Sequence, residues 1–260
     1  MPTLNSVAHP ESIIKINTPK RETPAFFKIE YIFDKGKPTT QKIRIMGRSQ
    51  QLLRVDYEKE DHVHKDIEIS IIKYLENEIK KADVIVISDY AKGVITKSIC
   101  ESIIRISKDN NKAVIVDPKP KHMDLYSNVT LITPNNAEAS EMARLEDGSD
   151  GSVAEMGSKL LKQMNANVLI TRGEKGMSLF EKDGSVKHIP AKAKEVYSLI
   201  GAGDTVVATI AIAIASNASL KEAAVLANIA AGIKVGKIGT ASVSVDEIKN
   251  GIESDSSSVY

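Results

Sequence analysis

The stretch DIEISIIKYLENEIKKADVIVIS, residues 66–88, carries two periodicities in succession. Ile67, Ile71, Leu75 and Ile79 recur every four residues, the apolar stripe of an amphipathic helix. Val84-Ile85-Val86-Ile87 then forms an unbroken β-branched run, which suits a strand covered on both faces. Working forward, the pattern repeats. A helical stretch over 96–108 leads to the run 113–116, and the apolar run 129–132 leads to a helix near 135–143. Residues 152–164 read as helix and 167–170 as strand; a hairpin turns at Asp183-Gly184, and two apolar helices close the chain. Strands alternating with helices imply an α/β fold with a mainly parallel sheet and crossover connections. Working backward, residues 26–33 alternate apolar and polar, Asp34-Lys35-Gly36 offers a turn, and 39–46 and 50–57 read as strands joined at Gly47-Arg48-Ser49. These strands predict a small β lid over 26–57, beside a core over 58–253. The serine-rich tail, 254–260, is expected to be disordered.

Charge and composition exclude several classes. The chain has 260 residues, with 35 basic against 34 acidic, so no overall field favours nucleic acid or an anionic membrane. The single cysteine, Cys100, cannot form an internal disulfide and sits within an apolar helical pattern. No apolar run has the length of a membrane span or the character of a signal peptide, and a cytoplasmic location is expected. Asp61-His62-Val63-His64 reads as a solvated loop, since no further ligand cluster accompanies the two histidines. A Walker A loop does not occur.

Three segments carry chemistry. Gly201-Ala202-Gly203-Asp204 precedes a helical run over 205–216. Glycines before a helix let backbone N–H groups converge on an anion, and a carboxylate beside them can take a proton from a hydroxyl. Alone, the tetrapeptide is equally compatible with an ordinary helix-start turn. Upstream, Thr171-Arg172-Gly173-Glu174-Lys175-Gly176 follows an expected strand, where small residues would let a nucleotide approach the backbone. Taken alone, that segment reads better as an ordinary strand-turn-strand connection. Earlier still, Thr133-Pro134-Asn135-Asn136-Ala137-Glu138 puts an amide and a carboxylate three residues apart on a first helical turn. That pair suits a hydrated magnesium on phosphates, or simply a capped helix start.

In this order, each at the C-terminal end of a strand, the three segments resemble the catalytic half of the ribokinase (PfkB) family of carbohydrate kinases. Five further segments narrow the resemblance: Pro38-Thr39-Thr40-Gln41-Lys42, Gln50-Gln51-Leu52-Leu53-Arg54-Val55-Asp56, Ser88-Asp89-Tyr90-Ala91-Lys92-Gly93, Val116-Asp117-Pro118-Lys119 and Gly236-Lys237-Ile238-Gly239-Thr240. They are similar to the kinases that phosphorylate D-glycero-β-D-manno-heptose 7-phosphate at its anomeric carbon, toward ADP-heptose and lipopolysaccharide. In many bacteria such a kinase is one domain of a bifunctional protein. The resemblance spans roughly 37–245 and leaves 1–25 poorly matched.

The resemblance implies a ribokinase-like fold, ATP and Mg2+ as cofactors, and a homodimer formed through the lid strands. It implies Asp204 as the base that activates the sugar hydroxyl, with Gly201, Ala202 and Gly203 as its anion hole. Asn135 and Glu138 would organise phosphates and magnesium, the latter through water. Thr171, Gly173 and Gly176 would line the nucleotide, with Asn228 near the adenine. Asp89, Lys92 and Lys119 would meet the phosphorylated sugar.

Four departures stand beside it. Residues 1–36 contain no Gly-Gly pair of the kind that grips the sugar, so the N-terminal part of the fold is expected to be missing. Ser198-Leu199-Ile200 replaces an aspartate and a threonine, and that aspartate often helps hold a monovalent cation near the nucleotide. Pro120 and His122 stand in place of a glycine and an aspartate. No His-x-Gly-His adenylyltransferase motif follows. The alternative expectation is therefore an inactive nucleotide-binding relative, an interaction module, or one half of a split kinase.

Overall fold

The computed structural model describes residues 31–47, 50–146, 150–192, 196–239 and 241–256. Its centre is a six-stranded sheet in sequential order: β3 (Val84–Ser88), β4 (Ala113–Asp117), β5 (Leu131–Ile132), β6 (Asn167–Thr171), β7 (Met177–Phe180) and β8 (Val186–Ile189). A separate antiparallel ribbon, β1 (Gln41–Gly47) with β2 (Gln50–Tyr57), precedes it. Strands β3 to β6 run parallel, and the β7–β8 hairpin turns antiparallel at the far edge. Seven α-helices lie among the described residues: α1 (Lys65–Glu78), α2 (Lys97–Asp109), α3 (Asn136–Ala143), α4 (Asp150–Met164), α5 (Ala202–Ala215), α6 (Leu220–Val235) and α7 (Val245–Ser256).

The β-branched runs become central strands because both of their faces are covered. Val114 and Val116 enter one core with α1 to α4, whereas Ile115 between them enters a second core with α5 and α6. Val168 and Ile170 divide from Leu169 in the same way. Each such side chain contributes about 1.5–3 kcal/mol by leaving water, so a one-residue slip would exchange the two cores wholesale.

Helix starts follow local chemistry. Thr96 caps α2 by accepting the Ile99 N–H at 3.3 Å. Ser219 and Glu222 close a capping box at the start of α6. The same device begins α7, where Glu247 accepts the Ser244 N–H at 2.8 Å and Ser244 Oγ accepts the Glu247 N–H at 3.2 Å. Helix α7 is a correction to the expected two closing helices: Ser244-Val245-Asp246-Glu247 was its signal. It also carries Ser254, Asp255 and Ser256 of the tail into helix, while 257–260 lie outside the described residues.

Two strands differ from expectation. Of the strand expected over 26–33, residues 26–30 lie outside the described residues and 31–33 are not strand. Strand β5 is only two residues long, and just before it the Thr130 hydroxyl accepts the Val114 N–H at 2.9 Å. No helix among the described residues is long and apolar enough to cross a membrane.

Candidate active site

The C-terminal ends of β3, β4, β5 and β6 open on one edge of the sheet, where the connections to the following helices gather charged groups. Asp117 closes β4, Glu138 lies in the first turn of α3, and Asp204 lies in the first turn of α5. Glu138, Asp204 and Asp89 all act electrostatically on Asp117. Burial comes first among the causes that push the Asp117 carboxyl up to about 7; the negative charges of Glu138, Asp204 and Asp89 add to it, and Lys119 opposes. Asp117 was not singled out from the sequence. Its signal was a carboxylate at a strand's C-terminal end, where this sheet class binds ligands.

Lys119 bridges the cluster, with Nζ 2.5 Å from Glu138 Oε1. Burial would lower its pKa, but the bond to Glu138 and the charges of Asp117 and Asp89 leave it raised. Tyr90 completes this side. Its hydroxyl is pushed up by burial and by the charge of Asp204.

Asn135 and Glu138 form a complete capping box: Asn135 Oδ1 accepts the Glu138 N–H at 2.9 Å, and Glu138 Oε2 accepts the Asn135 N–H at 3.0 Å. The helix-start explanation of this pair is therefore satisfied, and Glu138 still turns its other oxygen to Lys119. Asn135 is itself exposed and bridges to Thr171 of the neighbouring strand. The described residues hold no group of three acidic, histidine or cysteine side chains placed to chelate a metal. This donor set fits Mg2+ only where phosphates and water supply most of its ligands, which is its usual habit.

Gly201 is the N-cap of α5, at φ +79°. This left-handed turn presents the first helical N–H groups outward, with no carbonyl four residues back to receive them. The Ala202 N–H is spent on the Leu199 carbonyl at 3.2 Å, so the donors left in the first turn are those of Gly203 and Asp204. Asp204 is exposed at the positive end of the helix.

On the β6–β7 connection Gly173 is exposed, and a Cβ there would meet nothing. Gly176 differs. It is buried at φ +81°, and a Cβ would come within 2.0 Å of the Ile189 carbonyl. Its smallness lets the connection cross β8. Asn228, buried in α6, donates from Nδ2 to the Pro190 carbonyl at 2.7 Å and ties α6 to the end of β8.

Two expected sugar contacts are committed elsewhere. Asp89 is buried; it accepts the Ala91 N–H at 2.7 Å and meets His122 Nδ1 at 2.7 Å and the Tyr126 hydroxyl. His122, one of the departures from the family pattern, thus serves to hold Asp89. Lys92 pairs with Glu58 and, at 3.0 Å, with Glu60, which fastens the end of the ribbon to the β3–α2 loop. Cys100 is buried in the core, and burial pushes its thiol up to about 12. His64 meets Asp34 at 3.0 Å on the surface.

A parallel α/β sheet with acidic groups and a glycine-led helix start at its carboxyl edge is the architecture of ribokinase-like kinases. Solved structures agree. Ribokinase of Arabidopsis thaliana, complexed with ribose and ATP, superposes with a TM-score of 0.63 at 20% identity, over 84% of this chain and 69% of that one. Phosphofructokinase-2 of Escherichia coli, in complex with potassium, gives 0.64 at 20% identity, over 78% and 67%. The model of the pfkB family of carbohydrate kinases matches residues 28–247, and the chain belongs to that family. Among curated proteins it is 40% identical over 219 residues to the bifunctional protein HldE of Desulfatibacillum aliphaticivorans, and 43% over 225 residues to that of Campylobacter jejuni subsp. doylei. These matches cover 84% and 86% of this chain but 45% and 48% of the relatives, so the chain spans just under half of their length.

Proposed function

We propose that the chain is an ATP-dependent sugar kinase that phosphorylates the anomeric hydroxyl of a heptose 7-phosphate. The observation that carries this reading is the placement of Asp204 in the first turn of α5, behind the left-handed Gly201. The Asp204 carboxylate accepts the hydroxyl proton as the oxygen attacks the γ-phosphoryl group. The N–H groups of Gly203 and Asp204 hold the charge that spreads over the transferring oxygens. Thr171 and Gly173 line the nucleotide, Gly176 shapes that loop, and Asn228 fixes the strand end beside it. Glu138, with Asn135, would hold Mg2+ through water, and Lys119 offers a point charge for the substrate's phosphate. Mg2+, when bound, would supply positive charge that offsets the charge of the phosphates. Asp89 and Lys92 act as positioning residues for the loop that carries Tyr90.

Homology to HldE supports the heptose phosphate substrate, and the ATP in the ribokinase complex supports the nucleotide. The test is turnover of ATP by the purified chain with magnesium and D-glycero-D-manno-heptose 7-phosphate, beside Asp204→Asn. Loss of the base lowers the rate by about 10²–10⁴-fold. Equal rates in the two proteins would remove Asp204 from the mechanism. Nucleotide binding without turnover in either would leave the inactive-relative reading.

A further inference from the structure

A buried ammonium lies behind the Gly201 turn. Lys234 falls on the stripe Ala223, Ala227, Ala230, Lys234 that faces α6 into the protein, and it is 1% exposed. Its Cε lies 3.5 Å from the point a Cβ on Gly201 would occupy, and Asp204 Oδ2 lies 3.9 Å from the same point. Nζ donates to the Gly239 carbonyl at 2.9 Å, and among the described residues no carboxylate pairs with it. The preceding segment packs on the same helix end, since the N–H groups of Tyr197 and Ser198 both donate to the Val235 carbonyl.

An ammonium taken out of water is expensive unless an anion answers it. One anion on this side is the Asp204 carboxylate, which lies by the same point over Gly201 without a hydrogen bond to the lysine, and a second could sit at the mouth of the α5 first turn, where Gly203 and Asp204 present their N–H groups. The segment that leads into this turn, Ser198-Leu199-Ile200, offers no carboxylate to a free metal cation. The lysine head, already seated on the Gly239 carbonyl, supplies a positive charge on this side of the turn instead.

We propose that Lys234 is a built-in cation of the phosphate site: its tethered ammonium supplies fixed positive charge behind the anion hole and makes nucleotide binding independent of added monovalent cations. The inference rests on the nucleotide reading of the Gly201–Asp204 turn. It is a positioning and charge role, since Lys234 acts from behind the backbone rather than on the reacting atoms.

The test is calorimetric binding of Mg-ATP in potassium-free buffer, with and without added K+, at matched ionic strength. Wild type is expected to bind equally in both. Lys234→Met keeps the stem but loses the charge, and is expected to bind about tenfold more weakly while melting no lower, because a buried charge has been exchanged for an apolar isostere. Lys234→Ala opens a space, and ammonium or methylammonium is expected to restore part of its affinity. Wild-type affinity in a folded Lys234→Met overturns the proposal. So does an affinity loss in both variants that follows their loss of melting temperature and is not rescued by ammonium. A wild type that binds no nucleotide at all refutes the nucleotide site itself, and this inference with it.

Discussion

Asp117 has an ionisation that opposes folding. Its carboxyl sits near 3.8 when unperturbed and is pushed up to about 7 in the folded chain, first by burial and then by Glu138, Asp204 and Asp89. Folding therefore takes up a proton between those values, and this group's contribution to stability falls as pH rises from about 4 to about 7, then levels. The effect is on the order of a few kcal/mol, since one pKa unit is worth about 1.4 kcal/mol. Urea unfolding at pH 5 and pH 8 should show the decline in wild type, and Asp117→Asn should flatten it and be the more stable protein at pH 8. A variant with the same pH dependence as wild type would show that the slope comes from other groups. Asp204 and Lys234 belong to this scale too: one is exposed at the helix mouth, the other buried behind it.

Among the elements, the β6–β7 connection shows how one motif can mix two kinds of glycine. Gly173 and Gly176 both have positive φ, yet only Gly176 is pressed against backbone. Gly173→Ala should cost about 1–2 kcal/mol, the strain of a left-handed alanine. Gly176→Ala should cost several kcal/mol more, because its methyl would overlap the Ile189 carbonyl and part β7 from β8. Thermal melting of the two variants decides this. Similar small losses in both would mean that the connection yields without displacing β8. The Asn135–Glu138 capping box makes a related point. Its amide and carboxylate do complete the helix start, so the cap sets both side chains at the carboxyl edge of the sheet without any further device.

At the scale of the whole molecule, the ribbon stands apart from the six-stranded sheet. Ile43 pairs with Val55 and Ile45 with Leu53, so one face of the ribbon is apolar, and Ile43, Ile45 and Leu53 are all exposed. A two-stranded ribbon is marginal alone, and an exposed apolar face asks for a cover. A second copy of the chain, placed ribbon to ribbon, provides one. Sedimentation should then give a dimer that Ile43→Lys with Leu53→Glu converts to a monomer of unchanged helical content. A monomeric wild type would exclude the ribbon as a dimer contact.

Much of this architecture was legible in the chain because it is written in short-range periodicity. The stripe of Ile67, Ile71, Leu75 and Ile79 and the runs at 84–87 and 113–116 could bury their apolar surface only as helices on a parallel sheet. Ser244-Val245-Asp246-Glu247 was equally legible and was passed over, which cost α7. Gly201-Ala202-Gly203-Asp204 marked the helix start that carries the proposed base for the same local reason. What no local pattern could decide is where long side chains end. Asp89 reads as a loop carboxylate, and only the return of the chain at His122 and Tyr126 buries it. Lys92 reads as a free loop lysine until Glu58 and Glu60 arrive from the ribbon. Asp117 acquires its raised pKa first from burial and then from the charges of Glu138, Asp204 and Asp89, and Lys234 lies against a turn thirty-three residues earlier in the chain. Desolvation and Coulomb energies depend on what surrounds a group in space. The sequence by itself therefore determined the helices, the strands and the family, whereas the tertiary structure alone decided which charges gather at the carboxyl edge of the sheet and which are spent holding the fold.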